Sequence, residues 1–463
     1  MRKRYGFGIL IVSLVLLICI PISAQASVKL DSEHFPDPVF RKIVDQLYND
    51  HFKDGILDDW ELNYTLFDTS EKRQLCLSKY PDYKKITDLT GIQYLKNIEY
   101  LKCEGCSIRK LPLGEMPILW GLDCSDNQLT QLDVSKCPVL EDLNCSKNKL
   151  EKLKFDTGLL HLDCSDNQLQ SLEFSGLKNL KTVFAENNKL KKIRFQNNPQ
   201  METVHCSKNL LTDFEIKGSA KLDELSLDSN QLQKLDLREC PELTYLNCSD
   251  SKLSELLIDN CQKLEYLFCY KNQLKQIKVQ KWQKLKELEC NDNQLTLLEV
   301  GDCPVLKVIL CSNNQLAGLN INNCPKLKIL HCSNNQLKKL DTGKLSKLSV
   351  LYCDHNKLTR LVTKKNRRLE ELDCRYNNLT SLDLSKNKYL NRRNVEAGNN
   401  QRTITCKGSF KLTKLPAFSV KKAKKWKGGK VKGKKLFPKK KKVNYTYNCG
   451  KGVKIKFTLL IKR

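Results

Sequence analysis

The residues best equipped for chemistry in this sequence are its cysteines, which number 22 in 463 residues. Thiolates ligate metals and exchange electrons, and in an exported chain a high cysteine content ordinarily indicates a disulfide framework. Their positions favour a different role. Twelve of them belong to one regularly spaced series of fourteen positions from Cys103 to Cys374, which we call the column. Ala185 and Leu227 occupy its other two positions. Every step along this column is 21 residues, apart from one step of 19.

The column belongs to a repeated motif, seen first as LDCSDNQL at 122–129. Two residues before each column position there is Leu, Ile or Val, and three residues after it there is Asn, with Cys106 and Ser251 as the substitutes. A fixed period of this length indicates a repeat array, and L-x-x-L-x-C-x-x-N-x-L is a leucine-rich repeat pattern. The sequence resembles secreted bacterial leucine-rich repeat proteins of the internalin-like type over about residues 86–400.

This resemblance implies an α/β-type repeat solenoid, a leucine-rich repeat horseshoe or arc of about fourteen repeats with a parallel sheet on its concave face. We expect a helical cap at 27–85 and a basic, β-rich cap or tail at 401–463, since the ends of a solenoid must be covered. Each buried Asn is expected to pair with backbone groups at its turn.

The cysteine column is expected to fill the core. Neighbouring parallel strands lie about 4.8 Å apart, but column side chains all point the same way, whereas a disulfide needs Cβ vectors that face each other. Packed apolar thiols are the better interpretation. Five further cysteines form a second column, thirteen residues after a first-column position: Cys137, Cys240, Cys261, Cys303 and Cys324. Cys406 and Cys449 lie outside the array, and their pairing stays open.

Residues 1–26 combine a basic start, an apolar run at Phe7–Ile20 and the small-residue pattern Ala24-Gln25-Ala26. This combination predicts a cleaved secretory signal, because the run is shorter than the ~20 apolar residues of a spanning helix. An uncleaved anchor is the alternative. We therefore expect a secreted, extracellular protein, or one associated with the cell surface, with no membrane span after cleavage.

The segment that follows predicts one helix and one loop. Asp37 and Pro38 form a helix start, and the apolar face of the helix is expected to comprise Phe40, Ile43, Val44 and Leu47.

The loop at 50–61 resembles an EF-hand, with Asp50, Asp54, Asp58 and Glu61 at positions 1, 5, 9 and 12. Phe52 breaks position 3. Calcium binding and a loop that has lost its metal are the two alternatives, and no other cofactor is expected.

The formal charge of +28 is concentrated near the C-terminus, where residues 407–463 contain 21 Lys and Arg and no acid. Two segments in which apolar and polar residues alternate lie on either side of Gly450 and Gly452, and they predict a hairpin that closes the last repeat. The lysine-rich segment 421–442 either binds an anionic cell-wall or host polymer or forms a solvated, disordered link. The polyanion candidates are Lys421, Lys422, Lys424, Lys425, Trp426, Lys439 and Lys440.

Because strand side chains alternate, the residues three and one before each column position, and the one after it, must face outward on the concave side. In early repeats these residues are mostly polar, and from Tyr245 they become apolar. Such patches mark binding surfaces, although strand propensity alone also favours these residue types. The candidate binding residues are Tyr245, Tyr266, Phe268, Tyr270, Leu310, His331, Tyr352 and Tyr376.

No spacing of the six His predicts a metal site or a catalytic triad, and no segment large enough for a catalytic domain is left over. We therefore expect a binding protein for a protein or glycan ligand, and not an enzyme. The alternative is a wall-associated structural protein that binds anionic polymers through its lysine-rich tail.

Overall fold

The computed structural model describes residues 27–48, 54–64, 73–155, 158–321 and 323–462. Its main element is a parallel sheet of sixteen short strands, which are arranged in the sheet in the order in which they occur in the chain. The strands are Gln74–Cys76, Tyr100–Lys102, Gly121–Asp123, Asp142–Asn144, His161–Asp163, Thr182–Phe184, Thr203–His205, Glu224–Ser226, Tyr245–Asn247, Tyr266–Phe268, Glu287–Glu289, Val308–Leu310, Ile329–His331, Val350–Tyr352, Glu371–Asp373 and Val395–Glu396. The predicted leucine-rich repeat solenoid is confirmed.

The sheet is longer than the fourteen predicted repeats. Gln74–Cys76 adds a strand before the first Cys of the column, and Val395–Glu396 adds one after the last. Residues at the same place in successive repeats pair directly across neighbouring strands, so that Leu122 pairs with Leu143. Leu143 also pairs with Leu162 across the 19-residue step. This repeat is therefore two residues shorter in the segment that connects one sheet strand to the next, and its sheet strand is unchanged.

The segments that connect successive strands of the main sheet also contain short strands. They form four small parallel sheets, and each of their strands comes directly after the turn that follows a sheet strand. The strands are Gln131–Asp133 with Lys152–Lys154; Ser171–Glu173 with Lys192–Gln196 and Asp213–Lys217; Lys234–Asp236 with Glu255–Leu257; and Gln276–Lys278 with Leu297–Glu299.

Helix is confined to a few segments of the described chain. The α-helices are Pro38–Tyr48 and Asp59–Tyr64, and the 3₁₀ turns are Leu77–Lys79, Tyr83–Lys85, Ile92–Tyr94, Leu412–Lys414 and Val420–Lys422. A helix of membrane-spanning length and apolarity does not occur among the described residues.

The N-terminal helix covers the first repeats as predicted. One oxygen of Asp37 accepts hydrogen bonds from the backbone of Val39 and Phe40, at 3.0 and 3.1 Å, and caps the helix. The other accepts from the backbone N–H of Thr87 at 2.9 Å, which ties the helix to the solenoid. The buried face differs at one position from the prediction, because Tyr48 is fully buried and Leu47 only partly. A short antiparallel pair, Val28–Lys29 with Ile56–Leu57, precedes the sheet.

The predicted C-terminal hairpin is present as Lys442–Gly450 and Val453–Lys462. It joins Asn400–Thr405 and Ala423–Lys427 in a four-stranded sheet, beside a three-stranded sheet of Phe410–Lys411, Gly429–Lys432 and Lys435–Pro438. The hairpin seals the last repeats, because the Tyr445 hydroxyl donates to the Thr380 carbonyl at 2.6 Å and the Leu384 N–H donates to the Cys449 carbonyl at 2.8 Å. We refer to residues 400–462 as the C-terminal module.

All described cysteines are free thiols, and all except Cys76 are buried. Burial raises the pKa of the Cys248 and Cys311 thiols to about 12, so these side chains are neutral, apolar core residues. Cys406 follows the strand that pairs with the end of Val453–Lys462, whereas Cys449 lies beside its start. The two thiols are therefore at opposite ends of the sheet and are not bridged.

A ladder of buried asparagines joins successive repeats. The Asn293 amide donates to the carbonyls of Cys269 and Cys290, at 2.9 and 3.2 Å, and its oxygen accepts from the Leu274 N–H at 3.0 Å. The same arrangement recurs at Asn127, Asn148, Asn167, Asn188, Asn209, Asn230, Asn272, Asn314, Asn335, Asn356, Asn377 and Asn400.

The ladder is interrupted at Ser251. Its hydroxyl is buried and has no hydrogen-bond partner among the described residues. The side chain is too short to reach both the preceding turn and the Leu232 N–H, which is the donor that an Asn would pair with at this step.

Asn293→Leu should lower the free energy of unfolding by about 2 kcal/mol, because it leaves the Leu274 N–H and the Cys269 carbonyl buried without partners. The matched change in the opposite direction, Ser251→Asn, should raise it by about 1 kcal/mol by completing the ladder. Chemical denaturation of both variants measures these differences. Unchanged stability of Asn293→Leu would contradict a stabilising role for the ladder.

Thiol titration tests the packing of the cysteines. The chain from residue 27 onward contains 21 cysteines, all of the total except Cys19. With an aromatic disulfide reagent, the native protein should react quickly at Cys76 alone and the unfolded protein at all 21. A much lower count after unfolding without reductant would show that the column is oxidised.

Candidate functional site

The concave face of the sheet has the surface that the sequence predicted to be functional. In most three-residue strands of this sheet the middle side chain is buried and the two outer ones are partly exposed, as in Tyr266–Phe268, Val308–Leu310 and Val350–Tyr352. Successive strands pair in register, so residues at the same place in the repeat form continuous rows across the sheet.

Four aromatic residues on two neighbouring repeats form the aromatic cluster: Tyr245, Tyr266, Phe268 and Tyr270. The Tyr245 ring lies 5.6 Å from that of Phe268 and 6.4 Å from that of Tyr266. The Lys286 ammonium lies 5.5 Å from the Tyr266 ring centre. All four rings are partly exposed. Burial, followed by the nearby Glu224 charge, raises the pKa of Tyr245, so its hydroxyl is a neutral hydrogen-bonding group at physiological pH.

Three consecutive strands, Val308–Leu310, Ile329–His331 and Val350–Tyr352, form the mixed cluster. Its members are Val308, Leu310, Ile329, His331, Val350 and Tyr352, aligned in two rows. The His331 ring stacks on Tyr352 at 4.4 Å and 15°. Burial lowers the pKa of His331, which keeps this ring neutral and makes it part of the apolar surface. The Tyr352 hydroxyl donates to Glu371 on the next strand.

The strand Glu287–Glu289 separates the two clusters, and sequence reasoning missed it. Both carboxylates point to the concave face and are partly buried. Burial raises the pKa of Glu289 to about 6, and the charge of Glu287 and a hydrogen bond to it contribute further. The signal was present in the sequence, since both residues occupy outward positions of the repeat, but acids at such positions are also typical of an ordinary solvated surface.

Tyr376 lies at the edge of this face, two residues after Cys374. The corresponding turn residue has positive φ in every repeat, and Tyr376 has φ 48°. Left-handed backbone costs a bulky residue about 1 kcal/mol. His355, its equivalent one repeat earlier, has φ 49° and stacks on Tyr376 at 4.2 Å. Tyr376 is 47% exposed. His355 was not among the predicted residues and belongs with Tyr376.

Earlier repeats present a mostly polar concave surface, with Tyr100 and Phe184 as aromatic exceptions. There His205 lies between Glu186 and Glu224, with ring nitrogens 3.4 and 3.2 Å from their carboxylates. Burial lowers the pKa of His205, but the two carboxylates outweigh it and raise the pKa to about 9. This histidine is therefore a cation that neutralises part of an acidic surface, and its geometry is not that of a catalytic base.

The predicted polyanion residues lie in the C-terminal module. Lys421, Lys424, Lys425, Lys439 and Lys440 are exposed. The other two are engaged within the protein. Lys422 pairs with Asp383 at 3.3 Å, and Trp426 stacks on the Tyr445 ring at 4.5 Å and 24°. The lysine-rich segment is thus folded into strands, and the alternative of a disordered link does not hold.

The EF-hand-like loop is described in part, since Asp50 lies outside the described residues. Asp54 accepts from the Ile56 N–H at 2.9 Å. Asp58 and Glu61 accept from each other's backbone N–H at 2.8 and 3.0 Å, which is a capping box for the helix Asp59–Tyr64. These contacts account for Asp54, Asp58 and Glu61 without a metal, and calcium binding and a loop that has lost its metal stay the two alternatives.

Among the described residues, Asp31, Glu33 and His34 are the group of metal-ligand types whose side chains come within reach of one ion. There the Asp31 carboxylate accepts from the His34 ring at 2.8 Å and from the His34 and Glu33 backbone at 3.0 Å. The carboxylate is therefore already used within its own turn.

No family model and no curated protein matches this sequence. Solved structures do match. The functional domain of InlJ from Listeria monocytogenes, which includes a cysteine ladder, aligns with 95% of this chain and 100% of its own, at a TM-score of 0.64 and 24% identity. A leucine-rich repeat protein from Leptospira interrogans aligns with 64% of this chain and 77% of its own (TM-score 0.49, 25% identity). The internalin InlF from L. monocytogenes aligns with 78% of this chain and 95% of its own (TM-score 0.49, 17% identity). The chain therefore has an internalin-like leucine-rich repeat fold.

Proposed function

We propose that the chain is a secreted or cell-surface binding protein that recognises a protein or glycan ligand on its concave face. One observation supports this most strongly. Partly exposed aromatic and aliphatic side chains occupy most outward positions within the strands from Tyr245–Asn247 to Val350–Tyr352, apart from Asn247 and the acidic strand Glu287–Glu289. Apolar surface of this extent, rich in tyrosine, is characteristic of ligand contacts.

Strand propensity is a weaker explanation of the same residues. It would place aromatic and β-branched residues along the whole sheet. The outward residues of Asp142–Asn144, His161–Asp163 and Glu224–Ser226 are instead polar, although those strands have the same length and register. The clustering therefore favours selection for contact over selection for strand formation.

Export rests on the N-terminal pattern of residues 1–26, which lie outside the described residues. A cleaved signal would deliver the solenoid to the extracellular side with its concave face accessible.

A second candidate function, binding of an anionic polymer by the C-terminal module, is favoured by a specific observation. The module displays lysines on a folded scaffold, with no acid from 407 to 463 to neutralise them. Such a surface attracts wall polymers, glycosaminoglycans or nucleic acid through release of counterions. It would then hold the protein at an anionic surface as a wall-associated component.

Phe268→Ala combined with Tyr352→Ala should abolish capture of a ligand from host extracellular or bacterial wall fractions, because it removes one large ring from each cluster. Both residues are partly exposed, so we expect little change in thermal stability. Leu210→Ala with Val362→Ala is the matched control, since these apolar residues are exposed elsewhere on the solenoid. Equal capture by the wild type and both variants would refute a concave binding site.

Replacing Lys424, Lys425, Lys439 and Lys440 by Gln should lower the salt concentration at which the protein elutes from heparin, because fewer counterions are released. Deletion of the segment would be a poor test, because its strands are part of the folded module. The matched control replaces four exposed lysines of the repeats by Gln, namely Lys338, Lys339, Lys364 and Lys365. If both sets shift elution equally, the binding reflects net charge and not the module.

A further inference from the structure

The charge of the concave face is opposite to that of the chain. The chain has a formal charge of +28. The outward residues form three rows across the sheet, at the positions three and one before each column residue and one after it. From the strand Glu224–Ser226 to the strand Glu371–Asp373, these rows contain no Lys. They contain one Arg, Arg375, which is paired with Asp373 at 2.7 Å. The acids in these rows include Glu224, Asp228, Glu287, Glu289, Asp354 and Glu371.

Glu287 and Glu289 concentrate this negative charge between the two apolar clusters. The ion pairs among the described residues include neither carboxylate, although many other acids of the solenoid are paired with lysine. The nearest lysine in sequence, Lys286, is bonded to Glu265 instead. The two carboxylates are the outward side chains of one short strand, where each disfavours the charged form of the other, and a cation placed between them would relieve this repulsion.

We infer that the concave face binds an extended, lysine- or arginine-containing protein segment, with the cationic side chain placed on Glu287 and Glu289 and apolar side chains on the flanking clusters. This inference rests on the proposed function, because it names the ligand chemistry of the same surface. An ammonium or guanidinium group there would hydrogen bond to both carboxylates in a partly desolvated setting, where such contacts are strongest.

The spacing of the strands sets the spacing of the ligand. Phe268, Glu289 and Leu310 lie side by side on consecutive strands. At about 4.8 Å per strand, the two apolar residues are about 10 Å apart. A chain extended in the polyproline II conformation rises about 3.1 Å per residue with three residues per turn, so that residues i and i+3 lie on the same side about 9 Å apart. The geometry fits a segment with apolar residues at positions i and i+3 and a Lys or Arg between them.

The same charges argue against other occupants. Anionic polymers would be repelled by the acids in the outward rows, which separates this surface from the lysine-rich module. A neutral glycan would stack on the aromatic cluster but would leave the Glu287 and Glu289 carboxylates without a counter-charge. A second copy of the chain, docked through its basic module, is the remaining occupant of suitable charge.

The test uses the full chain and a labelled synthetic peptide with Leu-Gly-Lys-Leu repeated three times. Fluorescence anisotropy should show binding of this peptide and none of the version with Glu in place of Lys. Glu287→Gln with Glu289→Gln should weaken binding at least about tenfold, because the substitutions keep the shape and remove the charge. The matched control, Glu151→Gln with Glu173→Gln, changes exposed acids away from the concave face and should bind as the wild type does.

Each other outcome overturns a defined part of this account. If the wild type does not prefer the Lys peptide, the charge inference fails. If Glu287→Gln with Glu289→Gln binds this peptide unchanged while Phe268→Ala with Tyr352→Ala does not bind it, the charge inference fails and the concave site stands. If neither double variant affects binding, both proposals fail. If sedimentation shows oligomers that the glutamine variant loses, the occupant is a second copy, and the inferred external segment is wrong.

Discussion

The solenoid depends on the hydrogen bonds of one asparagine amide in all but two of its fourteen cysteine-column repeats. A strand of three residues has few ladder bonds of its own, and the chain must reverse direction directly after it without leaving polar groups unpaired in the core. The asparagine three residues after each column position solves this, because it donates to the turn of its own repeat and to that of the preceding one while it accepts from a leucine N–H. Cysteine suits the adjacent core position because a thiol is small and apolar when buried.

This constraint also determines the functional surface. Once the Leu and Cys of a repeat are fixed inward, the residues one and three before the Cys must point to the concave side. The repeat can then vary these residues without loss of stability. In this chain they change from polar to aromatic at Tyr245, become acidic at Glu287 and Glu289, and become aliphatic at Val308. The resulting face differs in charge from the basic C-terminal module, which gives one molecule two surfaces of opposite electrostatic preference.

The repeat body was predictable from sequence because its contacts recur at a fixed separation of about 21 residues. The strand Gln74–Cys76 was not predicted, since it pairs with Tyr100–Lys102 but lacks the Asn that marks a repeat. The place of Trp426 was also missed, because it depends on pairing between Ala423–Lys427 and Lys442–Gly450, for which the sequence has no periodic signal. The acidic pair and His355 were visible in the sequence, but they become meaningful only when the rows of the sheet show what lies beside them.

Amide hydrogen exchange at single-residue resolution tests the asparagine ladder most directly. The Leu253, Leu274 and Leu295 N–H groups donate to the side-chain oxygens of Asn272, Asn293 and Asn314. At the equivalent step the Leu232 N–H has no asparagine to donate to, because the position is Ser251, whose hydroxyl has no hydrogen-bond partner among the described residues. The account predicts slow exchange at Leu253, Leu274 and Leu295 and clearly faster exchange at Leu232. Equal protection at all four leucines would show that the turns are held by something other than the asparagine amides.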